Sequence, residues 1–496
     1  MIATLGLFGA CSPDRDATSA TSATSPPRPT TSAPPATADE RATPVTGFPE
    51  GWEPAPLAWR DCDLPRSGEC ATLRVPLDWD DPGGAEIDVA VGRIPASGDR
   101  IGPLLLNPGG PGGSGLEFLS YDPVSPALAD RFDLVSWDPR GVSGSTAVTC
   151  GDGVDDLLDA DPDPDSDAEQ AALDRAAAEL SAECATEDAQ LLAHLGTADV
   201  VLDMEAIRRA LGGEQLNYLG FSYGTQIGQQ YAERFPTEIR AMVLDGVVDP
   251  SLGFEEFLLG QAAAFDAAFV GNATACADAG AQRCGVDDLA AAYDEVRSRV
   301  EAAPLPGGDR PVGPSVLATA AVQTGYGADG WQQLGPALAA ALRGDGAPLW
   351  ELAASYYDFG AFTSYAAVVC IDTPPPDGAA AFRAFADRAR ALSPRFGGSV
   401  ANELASCATW PSAAVGTPAP VVARGAPPIL VVGNTGDTAT PYANAVGVAD
   451  SLASGVLLTV ELQGHTAYGA NRCATTAIDA DLIDLVVPAP GTVCGG

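Results

Sequence analysis

Short apolar runs recur along the chain, most of them far enough apart to hold a helix between them. PLLLN (103–107), FDLVSWD (132–138), LNYLGFS (216–222), AMVLDG (241–246), ILVVGN (429–434) and VLLTVELQG (456–464) are nearly continuous in apolar residues. A strand with one wet face alternates apolar and polar positions, whereas runs of this kind are covered on both faces. Two earlier runs, CATLRVPLDW (70–79) and AEIDVAVGRIP (85–95), flank Asp81-Pro82-Gly83-Gly84 and predict a hairpin. Between the later runs the period changes to that of helices. TADVVLDMEAIRRAL (197–211) stops at Gly212-Gly213, and the segment 223–235 stops at Pro236. The pattern predicts an α/β fold, with a mostly parallel central sheet and helices on both faces.

The interval 251–405 breaks the alternation. It is rich in Ala and helical in period, as in VDDLAAAYDEVRSRVEAA (286–303) and GWQQLGPALAAALR (330–343). It is expected to be a helical cap inserted into a core formed by 50–250 and 406–496. Residues 12–49 are dominated by Ser, Thr, Ala and Pro and predict a disordered tether. Before it, IATLGLFGA (2–10) precedes Cys11, so residues 1–11 read as an export signal of lipoprotein type with Cys11 as the lipid acceptor. The run is short, no basic residue precedes it, and the usual Leu three positions before the Cys is absent.

Composition removes whole classes of chemistry. Among 496 residues there is no Lys, which excludes Schiff-base and Walker-type lysines, and only two histidines occur, His194 and His465. A His-rich metal site cannot be built, and neither a metal nor a cofactor is expected. Asp and Glu number 66 against 26 Arg, a net charge of -40, which repels nucleic acid. Of 11 cysteines, ten remain once Cys11 is set aside. With no CxxC present, disulfides outside the cytosol are the expected use, and pairing of neighbours in sequence is favoured by short loop closure.

The central chemical signal is Gly220-Phe221-Ser222-Tyr223-Gly224. It follows an apolar strand and opens a helix, the setting of a nucleophile elbow. Serine needs a base. His465 follows the last predicted core strand, whereas His194 lies in QLLAHLGTA upstream of the serine and reads as a surface or packing residue. Asp437, three residues past ILVVGN, is the expected acid, and Asp245 after AMVL is the alternative. The order Ser222, Asp437, His465 is that of the α/β-hydrolase fold. Oxyanion donors are expected from the Tyr223 backbone and from Gly110 in the loop NPGGPGGSG (107–115). That loop has no Lys and lacks the spacing of a nucleotide-binding fingerprint.

Further stretches carry a family resemblance. They are Trp59-Arg60-Asp61-Cys62, CATLRVPLDW (70–79), Trp137-Asp138-Pro139-Arg140-Gly141, GFSYGT (220–225), GDTATP (436–441) and GHTAYG (464–469). Together with NPGGPGGSG they resemble the α/β-hydrolase serine peptidases of the proline iminopeptidase clan, and in particular the secreted tripeptidyl aminopeptidases of actinobacteria with their C-terminal region. Pro108 stands where that clan's HGGPG loop has His. The resemblance implies an extracellular or surface-anchored exopeptidase acting on peptides with a free N-terminus, of tripeptidyl or prolyl type. It also implies cap carboxylates for the substrate ammonium, for which Glu255, Glu256 and Asp372 are candidates. A carboxylesterase or lipase using the same triad is the alternative, and a catalytically silent surface-binding protein is the third reading.

Overall fold

The computed structural model describes residues 47–495 apart from 152, 328, 360 and 361, and omits the side chains of 355–361. Cys11, the export-type run and the tether up to residue 46 lie outside the described residues. Ten strands form one sheet: β1 (Arg60–Asp61), β2 (Glu69–Pro76), β3 (Glu86–Ile94), β4 (Gly102–Asn107), β5 (Phe132–Trp137), β6 (Leu216–Phe221), β7 (Ile239–Asp245), β8 (Ile429–Gly436), β9 (Gly455–Gln463) and β10 (Val493–Cys494). Their order is β1-β2-β3-β5-β4-β6-β7-β8-β9-β10. The first three strands are antiparallel and β5 through β10 run parallel, so the sheet is mostly parallel as expected. The short edge strands β1 and β10 have no apolar run to announce them.

Alternate residues of the central strands feed two separate cores. Leu105, Val135, Tyr218, Met242, Leu244 and Val431 face one cluster, while Leu104, Leu106, Leu134, Leu219, Val243, Leu430 and Val432 face the other. All of these are fully buried. Each such side chain contributes about 1.5–3 kcal/mol by leaving water, which is why apolar residues fill both phases of these strands.

Between β7 and β8 the chain leaves the sheet for a run of helices that begins with Phe254–Ala279 and ends with Gly397–Asn402. Between β5 and β6, ahead of the expected helix found at Thr197–Ala210, lies a second helical excursion that the sequence reading did not mark. Its long helix, Asp167–Glu187, starts with a capping box from Ser166 and Glu169. It packs on the first excursion, where Arg383 pairs with Asp174 at 2.6 Å, and on the short turn after it, Ala405–Thr409, where Ser181 Oγ donates to the Ser406 carbonyl. Five disulfides join neighbouring cysteines: Cys62–Cys70, Cys150–Cys184, Cys276–Cys284, Cys370–Cys407 and Cys473–Cys494. Phe48, inside the expected tether, packs on Trp52 and Trp79 with ring centroids 5.6 and 5.2 Å away. Among the described residues, no helix is long and apolar enough to cross a membrane.

Candidate active site

Ser222 occupies the turn between β6 and the helix Tyr223–Arg234, with φ 53° and ψ -124°. A non-glycine residue there is strained, and its neighbours must hold it. Its N–H donates to the Asp245 carbonyl at 2.9 Å, and its carbonyl accepts from the Thr225 N–H at 2.8 Å and the Thr225 hydroxyl at 2.6 Å. Gly220 is required by the close passage of the helix: a Cβ there would sit 2.6 Å from the Gly224 carbonyl oxygen.

The loop after β4 reaches the same turn. Gly109 has φ +92°, and a Cβ on it would meet Ser222 Cβ at 2.8 Å and the Tyr223 nitrogen at 3.0 Å. The glycine-rich loop thus lies against the serine. The Gly109 N–H is already donated to Asn107 Oδ1 at 3.0 Å; Gly110 is the expected donor of this loop. The Tyr223 N–H at the helix start is the other expected donor.

Asp437 follows β8, and His465 follows β9. The structure brings them together, with His465 Nδ1 2.9 Å from both carboxylate oxygens. Asp437 is nearly buried, and its Oδ1 also accepts the N–H groups of Ala439 at 3.0 Å and Thr440 at 2.9 Å. The imidazole is held from other sides too. The His465 backbone N–H donates to the Tyr326 carbonyl at 3.0 Å, and the Tyr326 ring stands edge-on to the imidazole at 5.6 Å. Burial acts to lower the His465 pKa, but the Asp437 carboxylate, by charge and hydrogen bond, more than reverses this and holds it above the ordinary value, with Asp245 acting in the same direction.

The remaining candidates go elsewhere. The backbone carbonyl of His194 accepts from Arg140 at 2.9 Å, and the residue sits outside this cluster. Asp245 does not touch the imidazole nitrogens in a hydrogen bond; its carboxylate is taken by the backbone N–H groups of Ala467 and Tyr468. Glu255 pairs with Arg388, and Glu256 accepts from the Gly253 N–H at the start of its own helix. Asp372 is used by Thr197, whose N–H lies 2.7 Å away and whose hydroxyl also bonds the Tyr223 phenol at 2.6 Å. Burial pushes the Asp372 carboxyl up to about 6.

Sequence reasoning missed Glu403. It comes from the helical excursion, and its charge adds to burial in pushing up the phenols of Tyr365 and of Tyr326, the residue that edges His465. Nothing in ANELASC (401–407) marks it, because the contact depends on how helices far apart in sequence meet the sheet.

Residues 102–290 match the alpha/beta hydrolase fold family, and residues 393–494 match the TAP-like protein family. Serine protease Hip1 of Mycobacterium tuberculosis is 35% identical over 485 residues, covering 91% of this chain and 92% of that protein. Carboxylesterase B of the same species is 36% identical over 482 residues, covering 91% of each. Tripeptidyl aminopeptidase of Streptomyces coelicolor is 32% identical over 461 residues, covering 86% of this chain and 84% of that protein. The chain belongs to the α/β-hydrolase family, with a TAP-like C-terminal region. Within that family it is a serine hydrolase.

Proposed function

We propose that the protein is an exported serine exopeptidase that removes residues or short peptides from a free N-terminus through an acyl-enzyme intermediate. Ser222 is the nucleophile, His465 the base, Asp437 the acid, and the backbone N–H groups of Tyr223 and Gly110 hold the oxyanion. The interval 251–405 acts as the cap over this site. His465 Nε2 takes the hydroxyl proton as Ser222 Oγ bonds to the scissile carbonyl carbon. The proton then passes to the departing amine, and the C–N bond breaks. Water repeats the sequence on the acyl-enzyme, with His465 again accepting and returning the proton. Each oxyanion donor contributes about 2.7–4 kcal/mol in serine peptidases of another fold.

One feature supports a peptide amine over a neutral ester: besides burial, the negative charge of Glu403, from the helical excursion, pushes up the phenol of Tyr326, whose ring edges the base. A terminal ammonium there gains a charge-assisted interaction that an ester lacks. The named likeness to a serine protease and a tripeptidyl aminopeptidase supports the same reading. The likeness to Carboxylesterase B favours ester hydrolysis as the second reading. Paired arylamides of one tripeptide, with a free or an acetylated amine, separate the two. Acetylation should lower kcat/KM by about tenfold to a hundredfold, since each 1.4 kcal/mol is a factor of ten. Equal rates on both, or turnover of short acyl esters alone, would reject the exopeptidase.

A further inference from the structure

We propose that Asp245 is a positioning residue for the base: its side chain fixes the strained loop that carries His465, while its own backbone carbonyl holds the nucleophile turn. Asp245 is the last residue of β7 and is completely buried. The Ala467 N–H donates to both of its carboxylate oxygens at 3.0 Å, and the Tyr468 N–H donates to Oδ2 at 2.8 Å. Its carbonyl accepts the Ser222 N–H at 2.9 Å. One residue therefore touches both halves of the site without reaching the reacting atoms. This inference rests on the assignment of His465 as the base, not on the choice of peptide over ester.

The loop needs such an anchor. Thr466 follows His465 with φ 65°, and Gly464 precedes it with φ 125°. A β-branched residue in the left-handed region is costly and persists only where its surroundings impose it. Asn434, from β8, grips the same loop by the opposite polarity. Its Nδ2 donates to the Gly464 carbonyl at 2.9 Å and the Thr466 carbonyl at 2.8 Å. Asp245 collects the amides of 467 and 468, and Asn434 the carbonyls of 464 and 466, so His465 is clamped from both sides.

These backbone donors call for an acceptor at this place, which does not by itself account for a full charge. No cation pairs with Asp245 among the described ion pairs, and burial pushes its carboxyl up to about 6, against the three backbone hydrogen bonds and the His465 charge that favour its ionised form. A neutral amide would be cheaper to bury. The charge is useful because of what it faces. The groups around the imidazole are Asp437 from the loop after β8, Asp245 from the end of β7 and Tyr326 from the helical excursion. Two acids on one imidazole keep its protonated form available during proton transfer.

The test compares Asp245→Asn with the parent on whichever arylamide or ester the enzyme turns over, with rates divided by sites titrated with a fluorophosphonate. The expected result is a fall in kcat of up to ~10²-fold with KM little changed, as displacement of a reacting group by about 1 Å produces. The acid limb of the kcat/KM profile should also move to lower pH, because the variant removes a negative charge that raises the His465 pKa. A merely structural role would change melting temperature or the titrated fraction but move neither kcat per site nor the acid limb, and that result would overturn the proposal. Should Asp245→Asn not fold, Asn434→Ala carries the test. It should lower kcat with the acid limb in place, and an unchanged kcat would overturn the clamp. If His465→Ala retains parental kcat, the base assignment fails first, and the two failures are distinguishable.

Discussion

Asp437→Asn exchanges a carboxylate oxygen for an amide nitrogen and should remove nearly all turnover. In the parent, the carboxylate accepts from His465 Nδ1 at 2.9 Å, which fixes the proton on Nδ1 and leaves Nε2 free to act as a base. The same carboxylate accepts from Ala439 and Thr440 N–H groups through Oδ1. Asparagine can keep its oxygen on those two donors. Its NH2 group then takes the place of Oδ2, 2.9 Å from Nδ1; where Nδ1 accepts from it, the imidazole proton moves to Nε2. The wrong tautomer has no lone pair for the Ser222 proton. On another fold, the equivalent change lowers kcat by ~10⁴, or about 5–6 kcal/mol. The backbone hydrogen bonds are retained, so the melting temperature should shift little. The acid limb should fall to lower pH, because the carboxylate that raises the His465 pKa is gone. Stopped-flow hydrolysis of an arylamide from pH 4 to 9, beside thermal melting, measures all three. A kcat within tenfold of the parent, or an acid limb that rises, would refute the assignment.

Other substitutions separate chemistry from scaffold. Ser222→Ala should lower kcat by about 10⁶-fold while the protein still folds, and residual turnover near the parental rate would sink the serine mechanism. His194→Ala should alter the rate by less than about threefold, having no share in the acid–base contribution of about 10²–10⁴, and loss of activity there would move the base away from His465. Reductant should lower the melting temperature, since each disulfide contributes roughly 2–4 kcal/mol. Ellman titration of the unfolded, unreduced chain from residue 47 onward should find almost no thiol, as all ten of its cysteines are paired.

The sheet was legible because burial on both faces leaves a continuous apolar run, as in Leu104–Leu106 and Ile429–Val432, which both reach zero exposure. Ser222, Asp437 and His465 stood out as candidates because each follows such a run, at the end of a strand. The hairpin showed itself through Asp81-Pro82-Gly83-Gly84. What escaped depends on contacts between distant segments. The helix Asp167–Glu187 buries only Leu173, Ala176, Ala177, Leu180, Ser181 and Cys184, and its stripe of small residues gives a weak period. Asp245 looked like a second acid because it ends a strand. Only the return of 467 and 468, more than 220 residues later, shows its oxygens already taken. Asp372 looked like a free cap carboxylate, but Thr197, 175 positions away, occupies it. Glu403 carried no sequence signal, since its charge acts on Tyr326, in a turn, and Tyr365, on a helix, both distant in sequence.

The most direct test of the exopeptidase is a time-resolved mass analysis of one long unstructured peptide, offered with a free N-terminus and with that amine acetylated. The account predicts stepwise loss of short N-terminal pieces from the free peptide, with the C-terminal remainder intact at every stage. The acetylated peptide should be left nearly whole over the same period, and Ser222→Ala should cut neither. Internal cleavage of both peptides, or no cleavage while short acyl esters are consumed, would contradict it.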